Sequence, residues 1–347
     1  MTPAIWSIMI SSLATGTIIT LSSYHWLLAW LGLELNTLSI LPLIIKSHHP
    51  RATEATTKYF IVQTTASALI LFAGTTNAWV NGHWLISEST HHMTTTILLT
   101  AVALKLGLAP THTWYPEVLQ GSNMLTALTI STWQKIAPLA FLFLLSNHLP
   151  PHIMLTLALI SALTGGVAGI NQTQTRKIMA FSSISHMGWV LAALTLNANL
   201  ASMTLLIYIT MTSTMFLTLT STTSKSLTDL GTTWSYSPTL QTMMLTTLMS
   251  LGGLPPLTGF IPKLLILKEL VLLNLPTIST ILILTSLPSL FFYMRMTYLS
   301  TMTTPPMLTN STYKWRFKPT HKPTTTLLAT TTAIMIPITP LLLTWKF

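Results

Sequence analysis

Apolar residues run along this chain in long stretches, separated by short segments that hold most of the charged residues. A helix that crosses a bilayer needs about 20 mainly apolar residues. Eleven stretches come near this length: 3–21, 24–45, 58–80, 93–119, 124–145, 150–170, 178–196, 199–223, 239–273, 276–299 and 324–345. The pattern predicts an all-α polytopic membrane protein, a single membrane domain over 1–347 with about eleven transmembrane helices.

The fourth and ninth stretches contain residues that break helices. The fourth holds Pro110 and Pro116, and the ninth holds Gly252, Gly253, Pro255, Pro256, Gly259 and Pro262. Proline removes a backbone donor and clashes with the preceding turn. Both stretches are therefore predicted to be discontinuous helices, with the breaks at Pro110 and at Gly252, Gly253, Pro255 and Pro256.

The two broken stretches lie five stretches apart and resemble each other in sequence. Leu106–Pro110 resembles Leu251–Pro255, and both are followed by an aromatic residue and a further proline. A repeat of five crossings must be inverted, and paired discontinuous helices in inverted repeats are typical of transporters. The alternative is that Pro and Gly recur in membrane helices without a repeat. The predicted organisation is a first repeat at 1–147, an inverted one at 148–300, and a loop with a C-terminal helix at 301–347.

Composition excludes several classes of protein. Only 6% of the 347 residues are charged, against roughly 25% in soluble domains, and the mean hydropathy is +0.61. The chain has no cysteine, which excludes disulfides and cysteine-ligated zinc or iron–sulfur centres. The basic residues form no cluster typical of nucleic-acid binding.

The basic residues indicate an orientation. If eleven crossings alternate, eleven cations fall on the side of the N-terminus and only Lys346 on the other. The eleven are Lys46, Arg51, Lys58, Arg176, Lys177, Lys225, Arg295, Lys314, Arg316, Lys318 and Lys322. The positive-inside rule then places the N-terminus in the cytoplasm or the mitochondrial matrix, and the C-terminus on the opposite side.

Several ionisable residues lie inside the stretches. Glu34 and Lys135 lie at the midpoints of theirs, Lys105 lies one turn before Pro110, and Lys263 follows the break of the ninth stretch. Such a charge costs roughly 2.5–3.5 kcal/mol at the bilayer centre. Burial disfavours the charged form of lysine while a nearby carboxylate favours it, so these side chains can hold and release protons. We predict a proton-transfer role for them.

Other candidates have competing interpretations. His186, central in its stretch, is either a proton-transfer residue or a polar core residue. His112 is either a relay member or a donor to a backbone carbonyl near Pro110. Lys268 and Glu269 are either relay residues or a pair that reaches the membrane surface. One mid-membrane carboxylate is too few for a divalent-metal site, and no histidine pairing for a haem is evident, so no metal or cofactor is predicted in this chain.

Several short motifs lie along the chain: Gly32–Asn36, His49–Ala55 with Lys58–Phe60, Ala109–Val118, Thr132–Lys135, Asn171–Ile184, His186–Trp189 and Gly252–Phe260. Together they resemble the subunit 2 family of mitochondrial NADH:ubiquinone oxidoreductase (respiratory complex I), one of the antiporter-like families of its membrane arm. The resemblance covers most of the chain up to about residue 300.

The resemblance implies a proton-translocating subunit coupled to electron transfer from NADH to ubiquinone. It implies that the functional positions are Glu34 and Lys105 in the first half of the chain, Lys135 as the link between the two halves, and His186 with Lys263 in the second half. NADH, FMN, iron–sulfur clusters and ubiquinone are then expected in other subunits. The expected partners are neighbouring antiporter-like subunits and lipids, in the mitochondrial inner membrane, with the N-terminus in the matrix and the C-terminus in the intermembrane space. A stand-alone cation/proton antiporter and a passive scaffold are the alternatives.

Overall fold

The computed structural model describes residues 3–46, 48–86, 92–235, 237–303 and 323–344. Lys314, Arg316, Lys318, Lys322 and Lys346, used above for the orientation, lie outside these residues. The described helices are α1 Pro3–Ser22, α2 Trp26–Ile45, α3 Pro50–Asn81, α4 His92–Leu106, α5 Trp114–Gly121, α6 Met124–Ser131, α7 Trp133–Leu145, α8 Pro151–Ile170, α9 Thr175–Leu196, α10 Ala198–Thr222, α11 Leu227–Gly231, α12 Pro238–Gly252, α13 Phe260–Leu272, α14 Pro276–Met302 and α15 Pro323–Thr344.

The predicted all-α membrane fold is confirmed. Among the described residues, eight helical segments are long and apolar enough to cross a membrane, with α6 and α7 counted as one. The broken pairs α4–α5 and α12–α13 and the helix α15 correspond to the other three predicted crossings. Within the described ranges no β-strand forms, only two isolated bridges. Helices satisfy their own backbone groups, which lipid cannot do.

The chain divides into two compact units, the first unit 1–161 and the second unit 162–347. The boundary falls within α8. The predicted repeats at 1–147 and 148–300 stay a prediction.

In the first unit the helices α1, α2 and α3 run alternately in opposite directions. Lys46, after α2, lies over the ring of Trp6 near the start of α1, with its amine 5.4 Å from the ring centroid. At the other end, the backbone N–H of Trp26 donates to Trp84 (3.1 Å), which follows α3. The α3 helix begins at Pro50, eight residues before the predicted start at 58, because the His49 ring accepts from Arg51 N and proline is favoured in a first helical turn.

The fifth predicted crossing, 124–145, is one of these eight segments, and within it the helix is interrupted at Thr132, between α6 and α7. The carbonyl of Leu128 accepts from the hydroxyls of Ser131 (3.0 Å) and Thr132 (2.7 Å), and also from the backbone N–H of Thr132 (3.0 Å). Hydroxyls that bond to helix carbonyls often bend helices. Lys135 therefore lies in the first turn of α7, not in the middle of an unbroken helix.

In the second unit α9 is the most buried of the long helices. Glycines let α8 approach it closely: a Cβ on Gly165 would lie 2.6 Å from Ser185 N, and one on Gly166 would lie 3.1 Å from Pro288 Cβ of α14. Small residues commonly serve this purpose between membrane helices. The apolar pattern did not predict the short helix α11. A capping box between Ser226 and Asp229 caps its N-terminus.

Both predicted helix breaks are confirmed. Residues 107–113 separate α4 from α5, and residues 253–259 separate α12 from α13. Gly253 ends α12 with a φ of +82°, which L side chains rarely adopt. Gly259 comes so close to α12 that a Cβ would lie 1.8 Å from Ser250 O.

Candidate functional site

The first unit brings two predicted lysines to one small cavity. Lys105 lies in the last turn of α4, beside the break, and Lys135 lies in the first turn of α7. Their exposed fractions are 6% and 3%. Both line a cavity with room for about one water molecule. A single water can therefore fit in the cavity that the two amines line.

Glu34 lies beside this cavity on α2. Its Oε2 is buried and has no hydrogen-bond partner, and the same is true of Lys105 Nζ. The Glu34 charge acts on Lys105 and on Tyr59, although no ion pair joins Glu34 to Lys105. The carboxylate and the amine thus interact without direct contact, so a small movement would change the strength of their attraction. We call Glu34, Lys105 and Lys135 the first cluster.

An aromatic ring lies against Lys135. Tyr115, in the first turn of α5, is 1% exposed and lines the same cavity. The amine of Lys135 lies over its ring, 5.0 Å from the centroid. Gly107 makes room for this ring, since a Cβ there would lie 3.2 Å from Tyr115 Cβ.

Two side-chain amides, one buried and one half-buried, hold the backbone around the first cluster. Gln63 of α3 donates to the carbonyl of Lys105 (3.4 Å), one of the carbonyls at the end of α4 that lack a helical partner. Gln134 donates to the backbone carbonyl (3.2 Å) and to the side-chain oxygen (3.1 Å) of Asn36 on α2. These bonds tie α4 to α3, and α7 to α2.

The second unit holds a comparable arrangement at its broken helix. Lys263, in the first turn of α13, donates from Nζ to the carbonyl of Gly252 (3.1 Å) at the end of α12. A helix C-terminus attracts a cation. The amine also lies 5.7 Å from the ring centroid of Trp189 on α9. Gly253 leaves space for the lysine, because a Cβ there would lie 2.9 Å from Nζ.

His186 lies on the same cavity as Lys263, which has room for about one or two water molecules. A hydrogen bond of 3.3 Å joins its Nε2 to the hydroxyl of Tyr293, and its ring lies 5.6 Å from that of Tyr208. We call His186 and Lys263 the second cluster. His186 and Lys263 thus share one cavity, and His186 is hydrogen-bonded to the phenol of Tyr293.

Three further candidates lie apart from the two cavities. His112 is in the α4–α5 break and does not line the first cavity, and its Nδ1 is buried without a hydrogen-bond partner. Lys268 is exposed on α13 and Glu269 is half-buried. No ion pair joins these two described neighbours, because adjacent helix residues do not face each other.

Pro110, Pro255 and Pro256 lie within the helix breaks and Gly252 and Gly253 at the end of α12, and none of these five offers a side chain that can carry a proton. Among the described residues no group of three or more His, Asp or Glu could hold a metal ion. The arrangement of the two clusters can therefore bind, hold and pass protons, with amines, one carboxylate and one imidazole as the exchanging groups.

No role was predicted from sequence for Tyr115, Trp189, Gln63 or Gln134. Aromatic residues in apolar helices are usually core residues, so neither ring stood out. The glutamines carried a usable signal, since an uncharged amide inside an apolar stretch is costly to bury unless it is hydrogen-bonded. Their partners are 42 and 98 residues away in sequence, a distance that the pattern does not indicate.

Comparisons with known proteins agree with these features. Residues 23–289 match the family model described as NADH:quinone oxidoreductase/Mrp antiporter, TM, and residues 290–343 match NADH dehydrogenase subunit 2 C-terminus. A relative named NADH-ubiquinone oxidoreductase chain 2, from Carassius auratus, is 50% identical over 345 residues, which is 99% of each chain.

Two solved structures share the fold. A chain of respiratory complex I from Thermus thermophilus is similar with a TM-score of 0.85 and 24% identity, over 98% of this chain and 79% of that one. A chain of the Mrp complex from Dietzia sp. has a TM-score of 0.81 and 16% identity, over 96% of this chain and 75% of that one. From the family models and the full-length identity, the chain belongs to the NADH-ubiquinone oxidoreductase chain 2 family.

Proposed function

We propose that this chain is a proton-translocating core subunit in the membrane arm of NADH:ubiquinone oxidoreductase. The single observation that carries the proposal is that Lys105 and Lys135 line one water-sized cavity with the carboxylate of Glu34 beside it. Buried ionisable groups are costly in a membrane and usually mark a transport pathway. Oxidation of NADH and reduction of ubiquinone then take place in other subunits, which hold the redox cofactors.

Proton transfer within the first cluster follows from its charges. When the Glu34 carboxylate approaches Lys105, it stabilises the ammonium form of that side chain, and when it moves away this stabilisation weakens. The proton then passes from Lys105 through a cavity water to the neutral amine of Lys135. After the transfer Lys105 is neutral and Lys135 is cationic, so the charge has moved from the end of α4 to the start of α7.

The second cluster supplies groups for a further step. Lys263 and His186 line one cavity, so a proton can pass between an amine and an imidazole through one or two waters. The hydroxyl of Tyr293 both accepts and donates, and it extends this path toward α14. His112, Lys268 and Glu269 are candidate relay residues outside the cavities.

The family also suggests a location and partners. We place the chain in the mitochondrial inner membrane, with its N-terminus in the matrix and its C-terminus in the intermembrane space. The charge asymmetry of the sequence supports this orientation. Neighbouring antiporter-like subunits and membrane lipids are the proposed contacts of its exposed apolar faces. No cofactor is proposed within this chain, and nucleic acid is not a proposed partner.

The similarity to a chain of an Mrp complex favours one alternative, a cation/proton antiporter that acts without a redox complex. This alternative uses the same buried amines. It predicts that the purified chain exchanges cations for protons in liposomes. Under our proposal the isolated chain does not, and transport requires the assembled complex and NADH.

The test uses the assembled complex in proteoliposomes, with Lys105→Met, Lys135→Met and Glu34→Gln. We expect each change to slow NADH-driven proton uptake at least tenfold, because each removes a charge that the transfer needs. Lys46→Met, at an exposed lysine over Trp6, is the control. Proton uptake at an unchanged rate and an unchanged ratio to electrons in all three variants would refute the proposal and favour a passive scaffold.

A further inference from the structure

Two lysines that line the cavities, Lys135 buried and Lys263 half-buried, have the same kind of neighbour. The amine of Lys135 lies over the ring of Tyr115 at 5.0 Å, and that of Lys263 lies near the ring of Trp189 at 5.7 Å. Each ring lines the same cavity as its lysine. Both rings are buried, with exposed fractions of 1% and 6%. Among the described residues, each unit therefore has such a pair at its candidate cavity, whereas the pair of Lys46 and Trp6 involves an exposed lysine.

A ring and a carboxylate stabilise an ammonium group in different ways. The face of an aromatic ring is electrostatically negative, and it attracts a cation within about 6 Å. The ring carries no net charge, so its attraction is weaker than that of a carboxylate at ion-pair distance and binds the proton less firmly. The attraction is largest when the pair is shielded from water, as it is here.

Carboxylates are scarce in this protein. The chain has six acidic residues, and Glu34 is the one at the middle of a predicted crossing. It acts on Lys105, whose Nζ has no hydrogen-bond partner. The first cavity therefore contains two amines in different surroundings, with a carboxylate near Lys105 and a ring face against Lys135.

We propose that Tyr115 and Trp189 are positioning residues for proton transfer, whose ring faces act as neutral counterions to the ammonium forms of Lys135 and Lys263. This inference rests on the proposed function. An acceptor that held its proton through a carboxylate would release it reluctantly. A ring stabilises the cation enough for it to form and little enough for it to be lost again in the same cycle.

Other ionisable groups surround each pair. Lys105 of α4 and Tyr59 of α3 share the first cavity with Lys135, and Glu34 of α2 acts on both of these neighbours. In the second unit, the groups near Lys263 are His186 of α9, Tyr208 of α10 and, through His186, Tyr293 of α14. Substitution of a ring leaves these groups in place, so its effect can be separated from theirs.

The test measures the pH dependence of NADH-driven proton uptake by the assembled complex in proteoliposomes. Tyr115→Met removes the ring, and Tyr115→Phe keeps the ring but removes the hydroxyl. Without the ring the ammonium form of Lys135 is lost at lower pH. The alkaline limb of the profile should therefore move down by about one pH unit, a tenfold change in the proton equilibrium. Tyr115→Phe should leave the limb in place.

The second unit repeats the test independently, with Trp189→Met against Trp189→Phe. The amount of this chain in the purified complex reports assembly. If Tyr115→Met does not assemble, the Trp189 pair and the Phe variants decide the matter. Equal shifts in the Met and Phe variants, or no shift in either, would overturn the counterion role.

Lys135→Met separates this inference from the function on which it rests. If proton uptake falls in Lys135→Met while the Tyr115 variants keep the normal profile, only the counterion role is wrong. If Lys135→Met pumps normally, the proposed function fails and the inference fails with it.

Discussion

The break between α12 and α13 depends on Gly259, and Gly259→Ala is the most direct test of that geometry. The new Cβ would lie 1.8 Å from Ser250 O, where ordinary contact needs about 3.4 Å. Either α13 or the end of α12 must therefore shift by roughly 1.6 Å. Overpacking of this severity costs roughly 3 kcal/mol or more, because the obstacle is a backbone carbonyl and not a flexible side chain.

The shift should reach the second cluster. Ser250 lies two residues before Gly252, whose carbonyl accepts from Lys263 at 3.1 Å. A displacement of about 1.6 Å, the size of the clash, is enough to take this pair beyond hydrogen-bonding distance. We expect Gly259→Ala to assemble less well and to pump protons poorly, with faster amide hydrogen exchange over residues 250–263.

Gly252→Ala is the contrast at the same break. A Cβ there meets nothing closer than Tyr293 at 3.9 Å, and alanine is favoured over glycine in a helix. This variant should assemble as the unchanged chain does and keep its exchange protection. Normal assembly and normal exchange in Gly259→Ala would contradict the close approach on which the reasoning depends.

Two further predictions concern groups outside the clusters. Lys58 forms ion pairs of 2.6 Å with both Glu54 and Glu117 and so joins α3 to α5. Lys58→Met should lower the Tm of the complex slightly at low salt. It should not do so at about 1 M salt, where the Debye length is about 3 Å and the ion pairs are screened. The carboxylate of Asp229 accepts from the backbone N–H groups of Lys225 and Ser226, and these bonds lower its pKa. Asp229→Ala should reduce the exchange protection of these two amides about fivefold, the equivalent of about 1 kcal/mol for a lost cap. In the unchanged chain that protection should be full above the ordinary carboxyl range and should fall as the pH drops through the lowered pKa, so protection that is already lost at neutral pH would refute the assignment.

Much of the fold could be predicted because lipid leaves the backbone few options. Apolar stretches of the right length became helices, and Pro110 and the Gly–Pro run of the ninth stretch became breaks. The division at Thr132 was not predicted. Serine and threonine occur throughout the spans, and most of their hydroxyls bond back to their own helix without consequence. Here the hydroxyls of two successive residues, Ser131 and Thr132, both donate to Leu128 O, which the sequence pattern does not indicate.

The candidate site divides along the same line. Glu34, Lys105, Lys135 and Lys263 could be predicted because a charge in an apolar stretch is rare and costly. The ring of Tyr115 could not, because nothing in an apolar helix distinguishes an aromatic residue that faces an amine from one that fills the core. The ion pair of Lys58 with Glu117 was equally hidden, since Glu117 is 59 residues away.

The two helix breaks differ in which side chain donates a hydrogen bond to the end of the preceding helix. At the first break the amide of Gln63 donates a hydrogen bond to the Lys105 carbonyl. The amine of Lys105 makes no hydrogen bond and interacts with Glu34 only through its charge. At the second break Lys263 Nζ both donates the hydrogen bond to the Gly252 carbonyl and is the group that titrates. Lys105→Met thus removes a charge, whereas Lys263→Met removes a charge and also the hydrogen bond that joins α13 to the end of α12. Damage to the second half of the protein is therefore harder to repair by a compensating carboxylate or cation than damage to the first.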